Sequence, residues 1–136
     1  MVDLNNIVVA RNCGEVRYGV VSEGTGNLSR VLGKFGLTPD ASLLVEVDKE
    51  TASCILQHLL WKDMAYDLEC MHESEAEEMA SALLRRYGES TSRYFSNREG
   101  PRDASWNPLT ESTFDAGLLI AGDTGIYRCI WFEDED

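Results

Sequence analysis

The chain has 136 residues, a formal net charge of −12 and an apolar fraction of 43%, which is the length of one domain with enough apolar content to bury a core despite its charge. Residues 67–136 hold 16 of the 24 acidic residues and 6 of the 12 basic ones, a field that repels nucleic acid and anionic membrane and favours a basic surface. No apolar run approaches the roughly 20 residues that span a bilayer. The opening Met1-Val2-Asp3-Leu4-Asn5-Asn6 lacks the basic and apolar regions of a secretory signal. A cytoplasmic protein is therefore expected, in which Cys13, Cys54, Cys70 and Cys129 are free thiols buried in the core.

In chain order, two short β-type runs at 7–10 and 16–21 flank Arg11-Asn12-Cys13-Gly14 and predict an N-terminal hairpin. Leu28, Val31, Leu32 and Phe35 form one apolar stripe of a short helix, with Gly36 placed to end it. A strand over 43–47 leads to Asp48, the predicted N-cap of a second helix over 49–66 whose apolar face is Ala52, Ile55, Leu56, Leu59, Leu60 and Met64. Ser74 and Glu77 read as a capping box for a third helix lined by Ala76, Met79, Ala80, Leu83, Leu84 and Tyr87 and stopped by Gly88. Its acidic first turn and its Arg85 and Arg86 complement the helix dipole.

The long connection 89–113 contains Pro101 and Pro108 and has room for a short strand near Tyr94 and Phe95. A closing hairpin pairs 113–121 with 126–132 around Gly122-Asp123-Thr124-Gly125. In its last strand Tyr127, Cys129 and Trp131 face one way, Arg128, Ile130 and Phe132 the other. Together these elements predict one α+β domain over 1–136. Its sheet is mostly antiparallel, built from N-terminal and C-terminal hairpins plus one central strand, with about three helices on one face.

Most chemical motifs have plain readings. Gly24-Thr25-Gly26-Asn27-Leu28-Ser29 mimics a dinucleotide turn, but Ser29 replaces the third glycine and no βαβ series follows. Asp123-Thr124-Gly125 is accounted for by a β-turn. Cys54 and His58, with Cys70 and His72, have zinc-suited chemistry without zinc-suited spacing, so no metal is expected. No nucleophile–base pair is visible and no cofactor is expected. Arg93, Arg98 and Arg102, interleaved with Tyr94, Phe95 and Trp106, could grip an anion.

The strongest signal is the run Asp67, Glu69, Glu73, Glu75, Glu77 and Glu78, with no Lys or Arg among its twelve positions, beside Trp61 and Tyr66. A second block, Glu133, Asp134, Glu135 and Asp136, follows Trp131. Aromatic anchors rimmed by charge are the usual make-up of a tight interface. The expected function is a non-catalytic acidic binding protein that neutralises a basic protein partner, as a bacterial toxin-immunity or antitoxin protein does, without nucleic acid or membrane. The alternatives are a small anion- or nucleotide-binding domain or enzyme using 89–113 and the turn at 24–29, a nucleic-acid-mimicking inhibitor, or a subunit of a larger complex.

Overall fold

Alternation along the last strand organises the molecule, because both of its faces are buried. In a computed structural model, which describes residues 10–101 and 106–135, five strands form one antiparallel sheet in the order β1-β5-β4-β3-β2. The strands are β1 (Glu15–Ser22), β2 (Val45–Val47), β3 (Arg93–Ser96), β4 (Phe114–Ala121) and β5 (Ile126–Asp134). The described helices are α1 (Leu28–Lys34), α2 (Lys49–Trp61) and α3 (Glu73–Tyr87), with a 3₁₀ turn at Ala41–Leu43. The α+β class stands.

Two cores lie on opposite sides of the sheet. Ile130 and Phe132 join Leu118, Ile120 and the apolar faces of α2 and α3. Tyr127, Cys129 and Trp131 join Leu119, Phe95 and the Val31 and Leu32 pair of α1. The short helix thus covers the face that the two long helices leave open. Gly36, at φ +77°, ends α1 as its position predicts, and the Leu37 amide returns to Leu32 O at 3.0 Å. Gly117 is required where β4 crosses the Trp131 ring and Ile130 O, because a Cβ there would collide with both.

Several elements differ from expectation for identifiable reasons. The first strand of the expected N-terminal hairpin falls at 7–9 outside the described residues; Ala10 is helical, and β1 pairs along its whole length with β5. Asp48 caps α2 as predicted, accepting the Thr51 amide at 2.7 Å. The helix nevertheless stops at Trp61 rather than near 66, because Asp63 takes the amides of Tyr66 (3.1 Å) and Leu68 (2.7 Å) and folds the next residues into a loop. Met64 still packs against the helix-side core. The capping box of Ser74 and Glu77 is not made. α3 begins two residues earlier, with His72 as an N-cap that makes no side-chain cap bond, and Glu73 and Glu75 in the first turn supply the favourable charge. The short strand expected near Tyr94 and Phe95 is β3.

The cysteines are not all free. Cys13 and Cys70 are joined in a disulfide, their Cα atoms 5.4 Å apart, while Cys54 is exposed and Cys129 is buried. Burial pushes the Cys129 thiol up to about 12. The bond removes the basis for expecting reduced thiols throughout. No helix among the described residues is long and apolar enough to cross a membrane.

Candidate interaction face

The residues between α2 and α3 form a braced, protruding loop. Its base is closed by the Cys70 amide on Trp61 O at 2.6 Å and by the disulfide from Cys70 to Cys13. Its interior is held by the Asp63 carboxylate, a role that no sequence motif advertises. Its tip turns at Asp67, which adopts φ +58°, a left-handed conformation that Asp tolerates better than most residues. The outcome is that Tyr66 and Leu68 are each 63% exposed, with exposed Asp67 and Glu69 between and beside them. Exposed apolar side chains gathered in one place, rimmed by polar groups, are the kind of surface that marks a contact site.

Trp61 stands at the root of this loop, half-buried, and donates its indole N–H to Glu69 Oε2 at 2.8 Å. Lys62 lies over its ring at 4.4 Å and reaches Asp67 at 3.3 Å. Glu73, Glu75, Glu77 and Glu78 are all exposed along the first turns of α3. One predicted set, Trp61, Tyr66, Asp67, Glu69 and these four glutamates, therefore occupies a continuous stretch of loop and helix. Leu68, an apolar neighbour of the acidic run in the sequence, belongs with them.

The second predicted set does not hold together. Trp131 is fully buried and donates to Asp115 Oδ1 at 3.0 Å, so it is a core residue and not an anchor. Glu133 and Asp134 are part of β5 and buried. Glu133 accepts from Arg17 (3.1 Å) and Ser112 (3.0 Å). Asp134 makes a two-pronged pair with Arg11, at 2.9 and 2.8 Å, and also accepts the Met64 amide at 2.9 Å. Both carboxylates are committed inside the fold. Glu135 is exposed, and hydrogen bonds from Thr113 hold its carboxyl below the usual range. Asp136 lies outside the described residues.

Arg11 is a structural centre that the sequence barely signals. Its guanidinium also donates to Leu59 O (2.7 Å) and Cys13 O (2.9 Å) and lies 4.8 Å from the Phe132 ring centre. It ties the approach to β1, the end of β5 and the end of α2 together directly beneath the loop. A lone arginine between two apolar runs is the only available hint.

The anion-gripping set is dispersed. Arg93 pairs with Glu46 at 2.7 Å on the surface, Tyr94 and Phe95 are buried in β3, and Arg102 lies outside the described residues. Arg98 and Trp106, however, line a groove of about 500 Å³ with Trp61, Met64, Asp67 and Phe114. That groove adjoins the root of the loop, and Arg98 lies over the Trp106 ring at 5.8 Å.

The glycine-rich turn holds its own anion. Glu23 is buried, accepts from Thr25 Oγ1 (2.5 Å) and Thr25 N (3.3 Å), and pairs with Lys34 at 2.9 Å. Hydrogen bonds from Thr25 and then Lys34 lower its pKa to about 2. A depressed carboxylate contributes stability that is present above its unfolded value and lost as pH falls through the folded one. Melts between pH 5 and 2 should thus show a larger loss across the window from 4.5 to about 2 in wild type than in Glu23→Gln. Equal slopes in both proteins would refute this assignment.

The zinc-suited set is also dissolved, since Cys70 is bonded to Cys13. Asp123-Thr124-Gly125 is the β4–β5 turn, with Gly125 at φ +78° and Asp123 accepting from Thr91 at 3.1 Å. Compared with protein families, characterised proteins and solved structures, the chain matches none.

Proposed function

We propose that this protein is a non-catalytic inhibitor of a basic protein partner, of the toxin-immunity or antitoxin kind, acting through loop 62–72 and the first turns of α3. The observation that carries this reading is the pair Tyr66 and Leu68, each 63% exposed on a braced tip among acidic residues. Such a tip needs little ordering on binding, which is the main entropic cost of using a loop. Its glutamates steer a cationic partner, and Tyr66 and Leu68 then supply the desolvated anchor. A cytoplasmic site of action accompanies this reading.

Co-production with the product of the adjacent reading frame is the direct test. With that partner, association should slow steeply as salt rises, because long-range attraction is screened beyond about 10 Å at 0.1 M. Tyr66→Ser with Leu68→Ser should accelerate dissociation at unchanged salt dependence. Salt-independent association, or wild-type dissociation from the double variant, would remove the proposal. The groove at Arg98 and Trp106 favours a second reading, a small-anion site. Titration with inorganic phosphate distinguishes the two, since only the second expects saturable binding.

A further inference from the structure

We propose that the Cys13–Cys70 disulfide is a redox latch on loop 62–72: a dithiol that reduces it slackens the contact face, and reoxidation braces it again. This inference deepens the proposed function and rests on loop 62–72 being that face. The bond is placed to act on the loop. Cys70 lies on its outer leg, between the exposed Leu68 and the start of α3 at Glu73, and Cys13 stands just before β1. The bond therefore ties that leg to a strand which is itself paired along its whole length with β5.

Among the described residues, little else holds the outer leg. The Cys70 amide on Trp61 O and the bridge between Lys62 and Glu69 remain without the bond. The 3.4 Å contact of the Asn12 amide with Cys70 O is long for a hydrogen bond. The Asp63 bonds to the Tyr66 and Leu68 amides lie open to solvent, and segments held by exposed bonds are the ones that open locally. The rest of the fold has its own ties. Arg11 fixes the approach to β1 onto α2 and β5 through Leu59 O and Asp134, and the sheet carries an apolar core on each side. Opening the bond is a loop event before it is a global one.

Access and thiol usage make the bond exchangeable. Cys13 is half-buried and lines a cleft of about 290 Å³, whereas Cys70 is 7% exposed. Cys13 Sγ is thus the sulfur that an incoming thiolate attacks. The S–S bond breaks, the Cys70 sulfur leaves as a thiolate and takes up a proton, and Cys13 is held in a mixed disulfide. The second thiol of the reductant then displaces Cys13 as a thiol. The protein gains two electrons and two protons, and the dithiol becomes a disulfide. The chain also keeps Cys54 as an exposed thiol. Where thiols are oxidised permanently, such a group invites wrong pairing. Where they are kept reduced, the disulfides that do occur are usually transient or redox-sensing.

Oxidised protein and protein held in dithiothreitol without denaturant compare the two states directly. Alkylation after native reduction should label Cys13, Cys54 and Cys70 and spare the buried Cys129, with far-ultraviolet circular dichroism unchanged. Chymotrypsin should cut after Tyr66 or Leu68 at least about tenfold faster in the reduced protein, and oxidised dithiothreitol should restore the slow rate. The Cys13→Ala/Cys70→Ala chain should be cut like the reduced protein and ignore dithiothreitol. A bond that survives excess dithiothreitol in the native state, loop cleavage unchanged by reduction, or cuts spread over the whole chain at one rate would each overturn the latch. With the product of the adjacent reading frame as partner, the reduced form should dissociate at least about tenfold faster; equal dissociation would overturn the control of binding. Should neither form bind it, the proposed function falls while the cleavage result still decides the latch.

Discussion

Arg11→Met is expected to destabilise the fold by about 3 to 5 kcal/mol, because it strands a buried carboxylate rather than merely deleting a contact. Asp134 is 2% exposed, and without the guanidinium it keeps only the Met64 amide. The carbonyls of Leu59 and Cys13 lose a donor at the same time. Urea denaturation of Arg11→Met, Asp134→Leu and the double variant measures the effect. The double variant should be less damaged than the sum of the singles, since an apolar pair removes the uncompensated charge. It should not recover fully, because the two carbonyls remain without Arg11. A loss below about 1 kcal/mol for Arg11→Met, the size of an exposed pair, would contradict the buried-pair account.

Removing the disulfide should have an effect of similar size. Cys13 and Cys70 are 57 residues apart in sequence, and constraining a loop of that length in the unfolded chain is worth about 4 kcal/mol on chain-entropy grounds. Cys13→Ser with Cys70→Ser, or wild type in dithiothreitol, should unfold at correspondingly lower urea. Alkylation counts test the bond itself. In denaturant without reductant only Cys54 and Cys129 should react, and in the native state only Cys54, since Cys129 is buried. Four labelled cysteines in denaturant would sink the prediction. The same count on protein alkylated at harvest shows whether the bond forms in the compartment where the protein works.

The parts of this fold that sequence reveals are those set by local periodicity. Leu28, Val31 and Leu32 announce α1, and the alternation from Ile126 to Phe132 assigns each side chain of β5 to its correct face. What stays hidden depends on side-chain partners outside the repeating pattern, most of them distant in sequence. Asp63 ends α2 through amides three and five residues on, against a helical pattern that continues to Met64. Arg11 and Asp134 are 123 residues apart, and an acidic chain end reads as a solvated tail. Four cysteines allow six single bridges, three ways of forming two, or none, and composition cannot choose among them. The acidic run is legible as an exposed surface because charges gathered at a helix start are themselves a local property. Trp131 is not an anchor, and its alternation with Cys129 already places it on a core-facing side.

The pair between Arg11 and Asp134 has a practical corollary for anyone purifying this protein. It sets Asp134 against the Met64 amide, so a handle fused at the C-terminal end emerges next to the loop proposed to meet the partner, where it would compete for the same space. The β4–β5 turn at Gly122-Asp123-Thr124-Gly125 lies at the other end of β5, nine residues away along an extended strand, roughly 30 Å. An insertion there would leave the contact loop unencumbered.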